Sequence, residues 1–138
     1  MSEINQVLRE LDALFSLGDT EKIREFLEKK IAFYAENKST DNLITMLNEM
    51  IGFCRDMGDF DEGSRYCEKL YELVNEEPYK NSIPYATTLL NIANFKRAKK
   101  DLDESEKLYL EVPLIYSRFL PDNDFRYASY FNNLSLLY

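Results

Sequence analysis

The sequence predicts an all-α chain built from stacked helical repeats, and three observations carry the prediction. First, the stretch Tyr85-Ala86-Thr87-Thr88-Leu89-Leu90-Asn91-Ile92-Ala93-Asn94-Phe95 returns forty-two residues later as Tyr127-Ala128-Ser129-Tyr130-Phe131-Asn132-Asn133-Leu134-Ser135-Leu136-Leu137. Self-similarity at a fixed period of roughly 20–50 residues marks a stacked-repeat architecture. Second, apolar residues recur at spacings of three and four along most of the chain, the signature of amphipathic helices. Third, Thr40, Ser82 and Asp124 stand forty-two residues apart, and each is a residue type that caps helix N-termini.

The elements follow in order. Ile4, Val7, Leu8, Leu11, Leu14 and Phe15 mark one helix face, which Gly18-Asp19 interrupts. Ile23, Phe26, Leu27, Ile31, Phe33 and Tyr34 resume the pattern to about Glu36. A two-residue turn between such segments makes an antiparallel helical hairpin, here over about 3–36. A second hairpin, over about 40–76, opens at Thr40 and turns at Gly58-Asp59. It carries Leu43, Ile44, Leu47, Met50, Ile51 and Cys54 on one helix, then Phe60, Gly63, Tyr66, Cys67, Leu70 and Val74 on the other. Glu76 to Ser82, with Pro78 and Asn81, reads as a loop. The third hairpin, over about 82–119, has Pro84 near its first turn, where a missing N–H costs little. Its turn is Lys100-Asp101, and its returning helix carries Leu102, Leu108, Tyr109, Val112, Ile115 and Phe119. Pro113 inside that helix predicts a kink. One further helix, about 124–138, has no partner in the sequence.

The forty-two-residue phase extends to Arg55 and Arg97, Asp59 and Asp101, Asp61 and Asp103, and Glu62 and Glu104. Gly63 and Ser105 coincide as small residues, which predicts close approach of helix backbones. The run Gly58-Asp59-Phe60-Asp61-Glu62-Gly63 resembles the turn and second-helix start of the tetratricopeptide repeat (TPR) family, and Gly18-Asp19 echoes that turn. Asn91-Ile92-Ala93 and Asn133-Leu134-Ser135 are similar to the Asn-Leu-small core of its first helix. The repeat length is most similar to the longer variety of kinesin light chains. Two residues depart from the pattern: Lys100 stands where a turn glycine is expected, and Ile51 where a small residue is usual. The resemblance implies a single domain over 1–138, folded as a right-handed α-α superhelix of three hairpins plus one C-terminal helix. It also implies a protein- or peptide-binding scaffold whose concave wall is made by the first helix of each pair.

Composition limits the alternatives. Of 138 residues, 45% are hydrophobic and 30% charged, as in ordinary globular proteins. A net charge of −8 opposes nucleic acid and anionic membrane partners. Met1-Ser2-Glu3-Ile4-Asn5-Gln6 lacks the basic start and apolar run of a secretory leader, so a cytoplasmic location is expected. The chain has no histidine, which removes the usual zinc sets and the Ser-His-Asp and Cys-His arrangements. No cofactor, no metal and no enzymatic activity are expected.

On the first helices, the repeat phase sets Thr45, Asn48, Glu49, Gly52 and Arg55 away from the core stripe, with Thr87, Leu90, Asn91, Asn94 and Arg97 as counterparts. Ser129, Asn132 and Asn133 follow on the last helix. The candidate ligand-binding residues are therefore Asn48, Arg55, Asn91, Asn94, Arg97, Asn132 and Asn133. An amide both donates and accepts, and arginine meets a carboxylate with two prongs, which suits an extended peptide. The competing reading is that Asn91 and Asn133 tie neighbouring helices together. Asp59, Asp61, Glu62 and their copies are expected as acids facing the positive helix start, and Cys54 and Cys67 as buried thiols on facing helices. The stripe Phe131, Leu134, Leu137 and Tyr138 suggests a piece of a longer array, or self-association through the C-terminal helix. A second functional reading is the peptide-sensing module of a bacterial-type regulator whose output domain lies elsewhere, and an enzyme is the weakest option.

Overall fold

The computed structural model describes residues 3–138. Among them it is all-helical, with seven helices: α1 (Glu3–Leu17), α2 (Thr20–Glu36), α3 (Thr40–Met57), α4 (Phe60–Val74), α5 (Ile83–Ala98), α6 (Leu102–Phe119) and α7 (Phe125–Ser135). None is long and apolar enough to cross a membrane. The helices divide between two compact units, Met1–Met50 and Ile51–Tyr138, with the boundary inside α3.

In the first unit α1 packs against α2. Val7 and Leu11 of α1, Ile23, Leu27, Ile31 and Tyr34 of α2, and Leu43, Ile44, Met46, Leu47 and Met50 of α3 are its buried apolar residues. All but Met46 stand on the stripes the sequence marks, whereas Phe15 and Phe33, expected on the same stripes, are exposed. Tyr34 is buried, and its hydroxyl donates to the Glu3 carboxylate at 3.0–3.1 Å. Burial, and then that bond, pushes the phenol up to about 12.

In the second unit α5 is the central element. It lies against both α4 and α6, and α7 lies against α6. Nine of its residues are buried, from Tyr85 to Phe95, so no clean polar stripe survives on it. Two small residues allow the close packing. A Cβ at Gly63 would stand 2.3 Å from Phe95 Cε2 and 3.0 Å from Cys54 Cβ, so α4 fits only with no side chain there. At the equivalent place in α6, buried Ser105 donates to the Ala93 carbonyl of α5 at 2.8 Å. Cys54 and Cys67 are buried thiols, neither of them in a disulfide.

The turns share one backbone device. Gly58 (φ +73) and Lys100 (φ +75) both adopt the left-handed conformation. At each, the next residue's N–H reaches back five positions, Asp59 to Cys54 and Asp101 to Lys96, both at 2.9 Å. These are Schellman closures, which satisfy the last carbonyls of a helix. Lys100 departs from glycine in chemistry and matches it in geometry.

Caps follow the repeat phase with one correction. Ser82 accepts from the Tyr85 N–H and Asp124 from the Arg126 N–H. Thr40, expected as the third cap, is instead the first helical residue, and Ser39 precedes it as the cap. The Ser39 carbonyl accepts the first helical bond from Leu43, and its hydroxyl accepts from the Asn42 amide at 3.0 Å. α6 continues as a helix through Pro113. α7 ends at Ser135, where Leu136 and Leu137 close tighter turns onto Asn133 and Leu134.

Candidate functional site

Asn48 lies in the first unit, half-buried, with its amide donating to the Ile44 carbonyl one turn back at 3.0 Å. Glu49 beside it is also half-buried. Burial, with the Asp12 charge adding, holds its carboxyl above the usual range.

The other six candidates are in the second unit, where α3, α5 and α7 present them. Arg97 is half-buried in the last turn of α5. Its Nη1 donates to the Asn133 carbonyl at 2.9 Å and to the Tyr109 hydroxyl at 3.1 Å. The Tyr109 hydroxyl donates in turn to Asn94 Oδ1 at 2.5 Å. This relay runs from a cation through a hydroxyl to an amide and joins α5, α6 and α7. Tyr109 is fully buried. Burial raises its hydroxyl pKa, and the nearby Arg97 charge, a Ser105 hydrogen bond and the Arg55 charge pull it back. Both arginines of the repeat phase therefore act on one buried hydroxyl.

The structure sorts the candidates by access. Asn94 is 6% exposed and bonded to Tyr109, so its oxygen serves the interior. Leu90, placed in the same column by the repeat phase, is buried too. Asn133 is half-buried, with its amide donating to the Ser129 carbonyl at 2.9 Å. Asn91 is half-buried and Asn132 exposed. Arg55 is half-buried, and its Nε donates to Asp56 at 3.1 Å. Among the described residues nothing accepts from Nε or Nη2 of Arg97, and no carboxylate pairs with it. That edge is the side-on pair of donors that grips a carboxylate or a peptide carbonyl.

Tyr109 is the residue that sequence reasoning left in the core. A hydroxyl at a buried stripe position needs a partner, and Asn94 and Arg97 stand one hairpin away on the facing helix. That juxtaposition was the available signal.

The acids behave as helix-start residues. Asp59 and Asp101 occupy N-cap positions, with Asp61, Glu62, Asp103 and Glu104 in the first turns. Glu104 pairs with Lys96 at 3.0 Å, and that ammonium holds its carboxyl below the usual range. Among the described residues no group of three or more His, Cys, Asp or Glu is arranged to hold a metal ion. No protein-family model matches this chain, and no curated protein matches it.

Proposed function

We propose that the chain is a TPR-like scaffold, its hairpins stacked in a right-handed superhelix, and that it binds an extended protein or peptide partner along the wall of first helices. The observation that supports this most is Arg97. Its guanidinium is fixed through Nη1 by Tyr109 and Asn133, while its Nε–Nη2 edge has no acceptor among the described residues. In a chain of net charge −8 carboxylates are plentiful, so an oriented arginine without one is a group kept for a ligand. Exposed Asn132 and half-buried Asn91 and Arg55 supply the mixed donors and acceptors that peptide backbone requires.

The experiment is selection of binders from a displayed peptide library, followed by affinity measurement on variants. Arg97→Gln and Asn132→Ala are expected to weaken a selected peptide by tenfold or more each, with helicity retained. A selected peptide whose affinity is unchanged by both places the binding surface elsewhere and defeats this reading.

A further inference from the structure

A cavity of about 290 Å³ lies among α4, α5 and α6, and none of its lining residues belongs to the amide–arginine group. Cys67 of α4, Ile92 of α5 and Leu108 of α6 give it apolar walls, with Tyr71 beside them. Lys96 and Lys99, three residues apart near the end of α5, bring two ammonium groups to it. Their neutralisation differs. Lys96 is paired with Glu104 at 3.0 Å. Lys99 has only the Ser64 hydroxyl, at 3.5 Å, and no carboxylate partner among the described residues.

We propose that this cavity binds a small organic monocarboxylate, its apolar body against Cys67, Ile92 and Leu108 and its carboxylate between Lys99 and the Ser64 hydroxyl. The volume lies at the small end of ligand pockets, which run from about 300 to 1,000 Å³, and admits a body the size of a single aromatic ring with a short chain. The charge balance selects a monoanion. Glu68 also lines the cavity and Glu104 stands beside Lys96, so a dianion such as phosphate would meet two carboxylates. A neutral apolar molecule would leave the Lys99 ammonium without a counter-charge. The charges of Lys96 and Lys99 both pull the Cys67 thiol pKa down. Burial, the larger effect, keeps that thiol protonated, its pKa pushed up to about 12, so the wall stays neutral.

The test is a titration of the ¹⁵N-labelled chain with 3-phenylpropionate, followed by amide chemical shifts, with 3-phenylpropionamide as the uncharged control. The acid is expected to shift Ser64, Cys67, Ile92 and Lys99 together and to bind at least tenfold tighter than the amide. Lys99 is exposed, so Lys99→Met keeps the apolar stem and the fold while removing the charge, and it is expected to abolish that preference. Equal binding of acid and amide, unchanged binding by Lys99→Met, or shifts scattered away from these residues would each overturn the assignment. A Gly-Gly-Phe peptide that binds tighter than the free acid would reassign the carboxylate to a chain terminus and overturn the small-acid reading. The site is separate from Arg97, so Arg97→Gln is expected to leave the titration unchanged.

Discussion

Arg97 on α5 holds the backbone carbonyl of Asn133 on α7, with 2.9 Å between Nη1 and the oxygen. The bond spans thirty-six residues of sequence and lands in the last turn of α7, on a carbonyl that also accepts from the Leu136 N–H at 3.2 Å. α7 has eleven residues, too short to be stable alone in water. Its order therefore leans on such ties. Arg97→Ala is expected to lower stability by about 1.5–3 kcal/mol, the range for hydrogen bonds to charged groups. Amide hydrogen exchange should accelerate in α7 before it does in α5. Uniform acceleration throughout the second unit would mean that Arg97 does not act through α7.

The Tyr109 hydroxyl joins Arg97 to Asn94 in the buried interior. Removing it leaves the Asn94 oxygen without its partner at 6% exposure. An orphaned buried acceptor costs about 1–3 kcal/mol, whereas removing both partners costs much less. Tyr109→Phe is expected to destabilise by that amount in urea unfolding. Tyr109→Phe combined with Asn94→Leu should recover part of the loss, since Leu nearly matches Asn in shape and wants no bond. A double variant at the full sum of the two single losses would show that the two groups are not coupled.

At Gly63 the missing Cβ matters more than backbone freedom. An added methyl would meet the Phe95 ring at 2.3 Å, and Phe95 is fully buried. Alanine gains about 1 kcal/mol of helix propensity over glycine, but overpacking costs about 1–3 kcal/mol. Gly63→Ala should thus be neutral to destabilising, against the stabilisation expected of an unhindered helical glycine. Phe95→Leu opens the space, so in its background the same substitution should become clearly less harmful. Identical effects in both backgrounds would show that the ring is not the obstacle.

What the sequence made legible is what repetition and periodicity encode. The Gly58 and Lys100 turns lie forty-two residues apart, and the helices between them begin and end close to where caps and apolar spacing place them. The site was less legible, for two physical reasons. Helical phase tells which residues leave the core stripe of one helix, but α5 is covered by α4 and α6 together. Leu90 and Asn94 are buried, which a single helical wheel cannot show. Tyr109 escaped notice for the converse reason: its ring fits the apolar stripe, and periodicity is blind to where the hydroxyl goes.

Lys100 carries a glycine's backbone without a glycine's freedom. Its φ of +75 matches the +73 of Gly58, and a side chain in that conformation costs about 1–2 kcal/mol. Glycine also loosens the unfolded chain, which offsets part of the gain. Lys100→Gly is expected to stabilise by about 0.5–1 kcal/mol. Gly58→Ala should destabilise by about 1 kcal/mol; a Cβ there meets nothing within 4 Å, so the cost is backbone strain alone. Paired thermal unfolding of the two variants checks the signs, and equal signs would mean that the two turns are not equivalent.

Glu49 is a pH-dependent liability of the first unit. Burial and the Asp12 charge both disfavour its ionised form, so its folded pKa lies above the unfolded value. A carboxyl raised in this way contributes stability that is fully present below its unfolded pKa of 4.5. That contribution is lost as pH rises through the folded value, because the unfolded chain releases the proton first. At neutral pH the ionised Glu49 therefore works against folding. Glu49→Gln keeps the shape and hydrogen-bonding capacity without the charge, and is expected to stabilise the chain at pH 7. The gain should shrink steadily as pH falls toward 4, where Glu49 itself becomes neutral in both states. Urea unfolding of the two proteins between pH 4 and 7 reads this directly. A difference independent of pH would assign the effect to packing and not to charge.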